Sequence, residues 1–189
     1  MSDVTRILNT IEQGDARATE KLLPLVYEEL RHLAAQKMSQ ELPGQTLQAT
    51  ALVHEAYIRL VEAKDQNWNS RGHFFRAAAE AMRRILIEKA RRKKSQKRGG
   101  DKKRVELDES ILVAPEDIGP DDLLALNEAL EKFADKDRAK ADLVKLRVFA
   151  GLTGKQAADI LDISESKASE DLTYARAWLC LEINRGEKS

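Results

Sequence analysis

The chain of 189 residues has a single cysteine, Cys180, so it can form no internal disulfide and no cysteine-based zinc site. No apolar run approaches the ~18 residues of a membrane-spanning helix. The opening stretch MSDVTRILNTIEQGD lacks the basic-then-apolar order of a secretory signal. A glycine-rich phosphate cradle is also missing. His32, His54 and His73 are scattered without ligand spacing, so no metal and no cofactor is expected. The carboxylates fall on solvated faces, which argues against an enzyme. Together these absences point to a cytoplasmic, non-catalytic protein with no membrane partner.

Net charge is missing too, because 32 basic residues cancel 32 acidic ones. The cancellation is global and not local. Residues 71–104 carry 14 basic against 3 acidic side chains, and residues 105–142 carry 12 acidic against 4 basic. One segment suits a polyanion, and the next would be repelled by one.

What the sequence does have is helical periodicity, with Leu and Ala recurring three and four residues apart. Ile7, Leu8 and Ile11 mark a first short helix, and a second is expected over about 16–38. A third starts near Gln48 and runs through ALVHEAYIRLVEA; after the polar break KDQNWNSRG a fourth covers about 73–95. The stretch SQKRGGDKKRVELDESILVAPEDIGPDD has adjacent glycines, Pro115, Pro120 and no sustained period, which marks a linker. Helices resume at about 121–134 and 137–150. No alternating run supports a strand. The expected fold is all-α: two small helical domains, 1–97 and 121–189, joined by a flexible linker over 98–120.

The segment AADILDISESKASEDL, 157–172, reads as helix, tight turn and helix, the layout of a DNA-reading helix-turn-helix or of a helical corner for protein contacts. Thr153 stands three residues before Gln156, the spacing of a capping box. Ala157 and Ala158 allow a close crossing, Leu161 and Ile163 would fill the corner, and Ser164 would cap the second helix. Ala168, Leu172 and Ala175 would continue the inner stripe, with Trp178 and Leu179 as core. Yet the second helix carries Glu165, Glu170 and Asp171 against the lone Lys167. Glu165 complements the helix dipole; Glu170 and Asp171 gain less from it and would oppose phosphate. Such a helix needs a second attachment to DNA.

HFFRAAAEAMRRILIEKARRKKSQKR supplies a candidate. Phe74, Ala78, Ala81 and Ile85 fall on one face, with Arg76, Arg83, Arg91 and Lys94 on another. The cationic face suits phosphates; the alternative is a solvated helix paired with the acidic linker. Trp68, Phe74 and Phe75 at its head would be core or would stack on unpaired bases.

With these stretches quoted, the chain resembles the extracytoplasmic-function (ECF) type of bacterial RNA polymerase sigma factor. Within that type it is similar to a divergent branch with LQxTALVHEAYxRL and HFFxxAAxxMRRILxxxARRxxxxKRGG. These appear here as LQATALVHEAYIRL (47–60) and HFFRAAAEAMRRILIEKARRKKSQKRGG (73–100), and DLTYARAWL (171–179) matches the end of the promoter-reading helix. The resemblance implies a region 2 unit of four helices and a region 4 helix-turn-helix. It implies promoter recognition as a subunit of the polymerase, with core RNA polymerase (clamp helices and flap) and promoter DNA as partners. By that analogy Leu52, Val53, Glu55, Tyr57, Arg59 and Leu60 dock on the clamp helices. Trp68, Asn69, Phe74, Arg83, Arg84, Arg91, Arg92 and Lys93 open and hold the −10 element. Ser166, Lys167, Ser169 and Thr173 enter the groove at the −35 element, with Lys155 and Arg176 on the backbone.

Two departures from the family pattern stand out. Relatives carry basic residues near 169 and 170, where this chain has Ser169 and Glu170. Ordinary members also open the clamp-binding helix with acids, where this chain has Gln48, Ala49, Thr50 and Ala51. A phosphate on Thr50 would supply about −1.5 to −2 charges there, so a Ser/Thr kinase is an expected partner, with Thr46 as the second site. The bland reading of Thr50 is a helix cap. An anti-sigma factor then becomes less necessary, though it stays among the partners to be expected. The competing function is a polymerase- or DNA-associated helix-turn-helix regulator that does not open promoters.

Overall fold

The computed structural model describes residues 46–62, 71–96 and 119–186. The helices expected over the first 40 residues, the break holding Trp68 and Asn69, and the linker up to residue 118 lie outside them. Among the described residues there are six helices and no strand: α1 (Thr46–Glu62), α2 (Arg71–Gln96), α3 (Pro120–Lys136), α4 (Arg138–Val148), α5 (Gly154–Leu161) and α6 (Glu165–Gly186). No helix among these residues is long and apolar enough to cross a membrane. The all-α expectation holds.

The chain divides into two compact units, residues 1–85 and 86–189. The division falls inside α2, whereas the sequence suggests a boundary near 97. Ile87 and Ala90 are buried beyond it, so the apolar stripe of α2 does not end with the first unit.

In the first unit, helix α1 buries Leu52, Val53, Ala56 and Leu60, the three- and four-residue recurrence of an amphipathic helix. Helix α2 buries Phe74, Phe75, Ala78, Ala79, Met82 and Ile85, while Ala81 is half-buried. The Phe74 and Phe75 rings meet edge to face, with centroids 5.5 Å apart and planes at 84°, an arrangement favoured by the ring quadrupoles.

The second unit is built around α6, which packs against α3, α4 and α5. Helix α3 starts with Pro120, whose missing N–H costs nothing in a first turn, and Asp121 and Asp122 there complement the dipole. Its buried stripe is Leu123, Leu126, Leu130 and Phe133. Asp137 then acts as a joint: its N–H donates to the Phe133 carbonyl, ending α3, and its carboxylate accepts from the Lys140 N–H at 3.0 Å, starting α4. Helix α4 buries Ala141, Leu143, Val144, Leu146 and Val148.

The connection to α5 turns at Gly151, whose φ of 70° is one that glycine adopts without penalty. Phe149 and Leu152 are buried along it, and the Leu152 carbonyl accepts from the Arg147 guanidinium.

Candidate nucleic-acid interface

Helices α5 and α6 form a helix-turn-helix whose start and turn are fixed by local chemistry. Thr153 accepts from the Gln156 N–H at 3.2 Å, and the Gln156 side chain accepts from the Thr153 N–H at 2.8 Å. This reciprocal box satisfies two of the amides that a helix start leaves open. The turn is made by Asp162 in the left-handed region, φ 55° and ψ 45°, a conformation that Asp tolerates better than most side-chain-bearing residues. Ser164 accepts from the Lys167 N–H at 3.1 Å and starts α6.

The corner is filled differently from the expectation. Leu161 and Ile163 are only half-buried, because the left-handed turn between them swings both towards the surface. Ile160 and Leu152 are buried instead, with Ala157 and Ala158 fully enclosed. On α6 the inner stripe runs Ala168, Asp171, Ala175, Leu179 and Ile183, while Leu172 and Trp178 are half-buried. The Trp178 ring lies 5.0 Å from that of Phe133, and the Tyr174 ring 6.3 Å from it.

Asp171 therefore corrects the sequence reading, which set it beside Glu170 as an outward acid opposing phosphate. The two neighbours part by one helical step of about 100°. Glu170 is exposed with Ser166 and Thr173, whereas the Asp171 side chain is 12% exposed and holds Lys167 Nζ at 2.6 Å. Lys140 Nζ lies 3.7 Å from the same oxygen, and Lys140 also bonds Asp137. That bond holds the Asp137 carboxyl below its usual range and raises the Lys140 ammonium above its own. Lys155 Nζ lies 3.7 Å from Glu165. Both lysines expected to attract DNA here thus have carboxylate neighbours within the chain.

The remaining expected contacts fall as follows. Ser166 and Ser169 are exposed, and the exposed Thr173 donates its hydroxyl to the Ser169 carbonyl at 2.8 Å, keeping its oxygen as an acceptor. Arg176 is half-buried. Burial of the Arg147 guanidinium, and after it the Arg176 charge, hold that guanidinium below the usual arginine range. Arg147 was not among the residues singled out from the sequence; an arginine on a helix rich in charged residues gives little sign of lying near a second one on another helix.

On α2 the exposed cations are Arg76, Arg84, Lys89, Arg91, Arg92, Lys93 and Lys94. Arg83 behaves otherwise: its side chain is 12% exposed and bonds Glu80 at 2.7 and 3.0 Å. Glu80 also takes Arg84 at 3.0 Å. Lys94 pairs with Asp121 at 2.9 Å. Arg91, Arg92 and Lys93 have no carboxylate within ion-pair distance among the described residues and are the cations most open to phosphate. Phe74, expected among the −10 contacts, is core, because its apolar ring serves the buried face.

On α1, Leu52, Val53 and Leu60 are likewise buried and lie on the face that holds the helix. Glu55 and Tyr57 are half-buried, as is Arg59, whose Nη2 lies 3.3 Å from the Glu55 carboxylate. Among residues 51–60 of α1 the exposed ones are Ala51, His54 and Ile58. Ile58 breaks the apolar period, a signal available in the sequence. The first turn of α1 contains no acidic residue. Among the described residues no group of His, Cys, Asp and Glu could hold a metal.

A family model described as ECF sigma factor matches residues 1–185. No curated protein and no solved structure matches the chain.

Proposed function

The chain belongs to the ECF sigma factor family, and from this we propose a division of labour among its helices. The family directs RNA polymerase to promoters and has core polymerase and promoter DNA as partners; it regulates transcription and is not enzymatic. In the proposal, α2 supplies the phosphate attachment at the −10 element through Arg91, Arg92 and Lys93. The second helix of the helix-turn-helix reads the −35 element through Ser166, Ser169, Thr173 and Glu170. The observation that carries this reading is that α6 presents a hydroxyl-lined face while the one lysine on it, Lys167, is held by Asp171. Hydroxyls can pair with base edges, and because they are uncharged they release no counterions even where they meet a phosphate. The long-range attraction is left to the cationic helix.

Helix α1 docks on the clamp helices of the polymerase with its exposed side, Ala51, His54 and Ile58, flanked by Glu55 and Arg59. Phosphorylation of Thr50 by a Ser/Thr kinase activates this contact. The absence of acids from the first turn supports it: a phosphate would bring the negative charge that the positive helix start favours. The test is the affinity of core polymerase for the chain, for Thr50→Glu and for Thr50-phosphorylated chain at one salt. Tighter binding by the charged forms supports the switch. Equal binding by all three removes it, and a gain only on phosphorylating Thr46 moves the site.

The second reading, a regulator that does not open promoters, is favoured by the paired lysines of the helix-turn-helix. Permanganate reactivity of promoter thymines with polymerase and the chain separates the two. Reactive thymines near −10 support the sigma factor, and an unreactive duplex supports the regulator.

A further inference from the structure

The one lysine of α6, Lys167, is paired with Asp171, the first residue of the DLTYARAWL stretch. Asp171 occupies an inner position of α6 between Ala168 and Ala175. A carboxylate there is expensive unless it is paired. Its partners come from two helices: Lys167 on its own turn at 2.6 Å, and Lys140 of α4 at 3.7 Å. Lys140 is in turn held by Asp137, the residue that joins α3 to α4, and its ammonium lies 5.6 Å from the Tyr174 ring centroid. The result is a chain of charges, Asp137–Lys140–Asp171–Lys167, that ends on the exposed side of α6. The Lys167 side chain is 53% exposed at that end, close enough to solvent to reach a phosphate if it were released.

We propose that Asp171 is a specificity-determining residue: as a fixed counter-ion it holds Lys167 away from DNA phosphates, so that α6 contributes base discrimination and little general affinity. This rests on the reading that α6 faces DNA. The partly buried carboxylate is screened less than a surface one, so it competes effectively with a solvated phosphate. Of its two lysines only Lys167 would be released by its loss, because Lys140 keeps Asp137.

The size of the effect follows from counterion release. One additional phosphate contact on B-DNA steepens the dependence of log K on log salt by about 0.9, which amounts to about eightfold in affinity at 0.1 M salt. The experiment is a salt titration of the full chain on a short duplex of random sequence, with wild type, Asp171→Asn, Lys167→Ala and the double variant. Asp171→Asn keeps the side-chain shape, and its melting curve checks the fold. The expected result is about eightfold tighter binding and a slope steeper by about 0.9 for Asp171→Asn, with wild-type behaviour for the other two.

Lys167→Ala is informative even where Asp171→Asn fails to fold. A slope flatter than wild type by about 0.9 would show Lys167 already on a phosphate and would overturn the proposal. Retention of the gain in the double variant would overturn it as well, because the gain would then come from the lost negative charge itself. Glu170→Lys gauges the underlying reading, since it must tighten binding if α6 meets DNA. A gain from Glu170→Lys without one from Asp171→Asn overturns the counter-ion role alone. No gain from either overturns the DNA-facing reading together with it.

Discussion

Replacing Phe133 by Ala removes the ring on which the C-terminal part of α6 rests. Phe133 is fully buried, and its ring meets those of Trp178 at 5.0 Å and Tyr174 at 6.3 Å. Truncating a buried Phe to Ala costs about 3–5 kcal/mol, made up of lost transfer energy and the cavity left behind. Phe133→Leu keeps most of the burial and forfeits the ring pairings, about 0.5–1.5 kcal/mol for each. For a unit of this size, 1 kcal/mol moves the melting temperature by roughly 4 °C. The Ala variant should therefore melt about 12–20 °C lower and the Leu variant about 4–12 °C lower. Near-ultraviolet circular dichroism of the full chain follows both, since it reports aromatic packing. A loss below about 4 °C for Phe133→Ala would refute the view that α3 supports α6. Equal losses for Ala and Leu would show that the ring pairings, and not the filled volume, make the support.

Other perturbations test the local devices one at a time. Thr153→Ala removes the hydroxyl that accepts from the Gln156 N–H but keeps the backbone N–H that donates to the Gln156 side chain; it should cost about 1 kcal/mol in chemical denaturation, whereas Thr153→Ser should restore most of it. Asp137→Asn keeps a good helix cap but removes the charge that Lys140 pairs with. Because the folded carboxyl lies below its ordinary value, the stability it adds is present above about pH 4 and is lost as pH falls through the folded value. The gap between the melting temperatures of wild type and Asp137→Asn should thus be constant near neutrality and close in acid. Arg92→Ala should flatten the salt dependence of promoter binding by about 0.7–0.9, the share of one phosphate. An unchanged slope would remove Arg92 from the interface.

Features governed by a few neighbouring residues were legible in the sequence. The Thr153–Gln156 box, the Ser164 cap and the helical periods are all decided within one turn of chain, and the structure has each of them. What was not legible depends on residues far apart in sequence. Asp171 lies three residues after Ala168 and four before Ala175, a helical spacing that fits the inner stripe, but the sequence reading gave that place to Leu172. A carboxylate at such a position reads as solvated until Lys140 of another helix is known to reach it. Leu161 and Ile163 looked like corner residues, but the left-handed backbone at Asp162 redirects both, and that depends on a turn type that Asp only permits. The resemblance likewise marked the motif on α1 without its sides: Leu52, Val53 and Leu60 belong to the buried face, and Ile58 to the exposed one.

The central claim, that this chain directs polymerase to promoters, is tested most directly by transcription in vitro. Core RNA polymerase is supplied with fragments of bacterial DNA, with and without the chain in its unmodified, Thr50→Glu and Thr50-phosphorylated forms, and the 5′ ends of the transcripts are mapped. The account predicts discrete start sites that appear only with the chain and share sequence elements near −10 and −35. Transcripts indistinguishable from those of core polymerase alone, with every form of the chain, would contradict it.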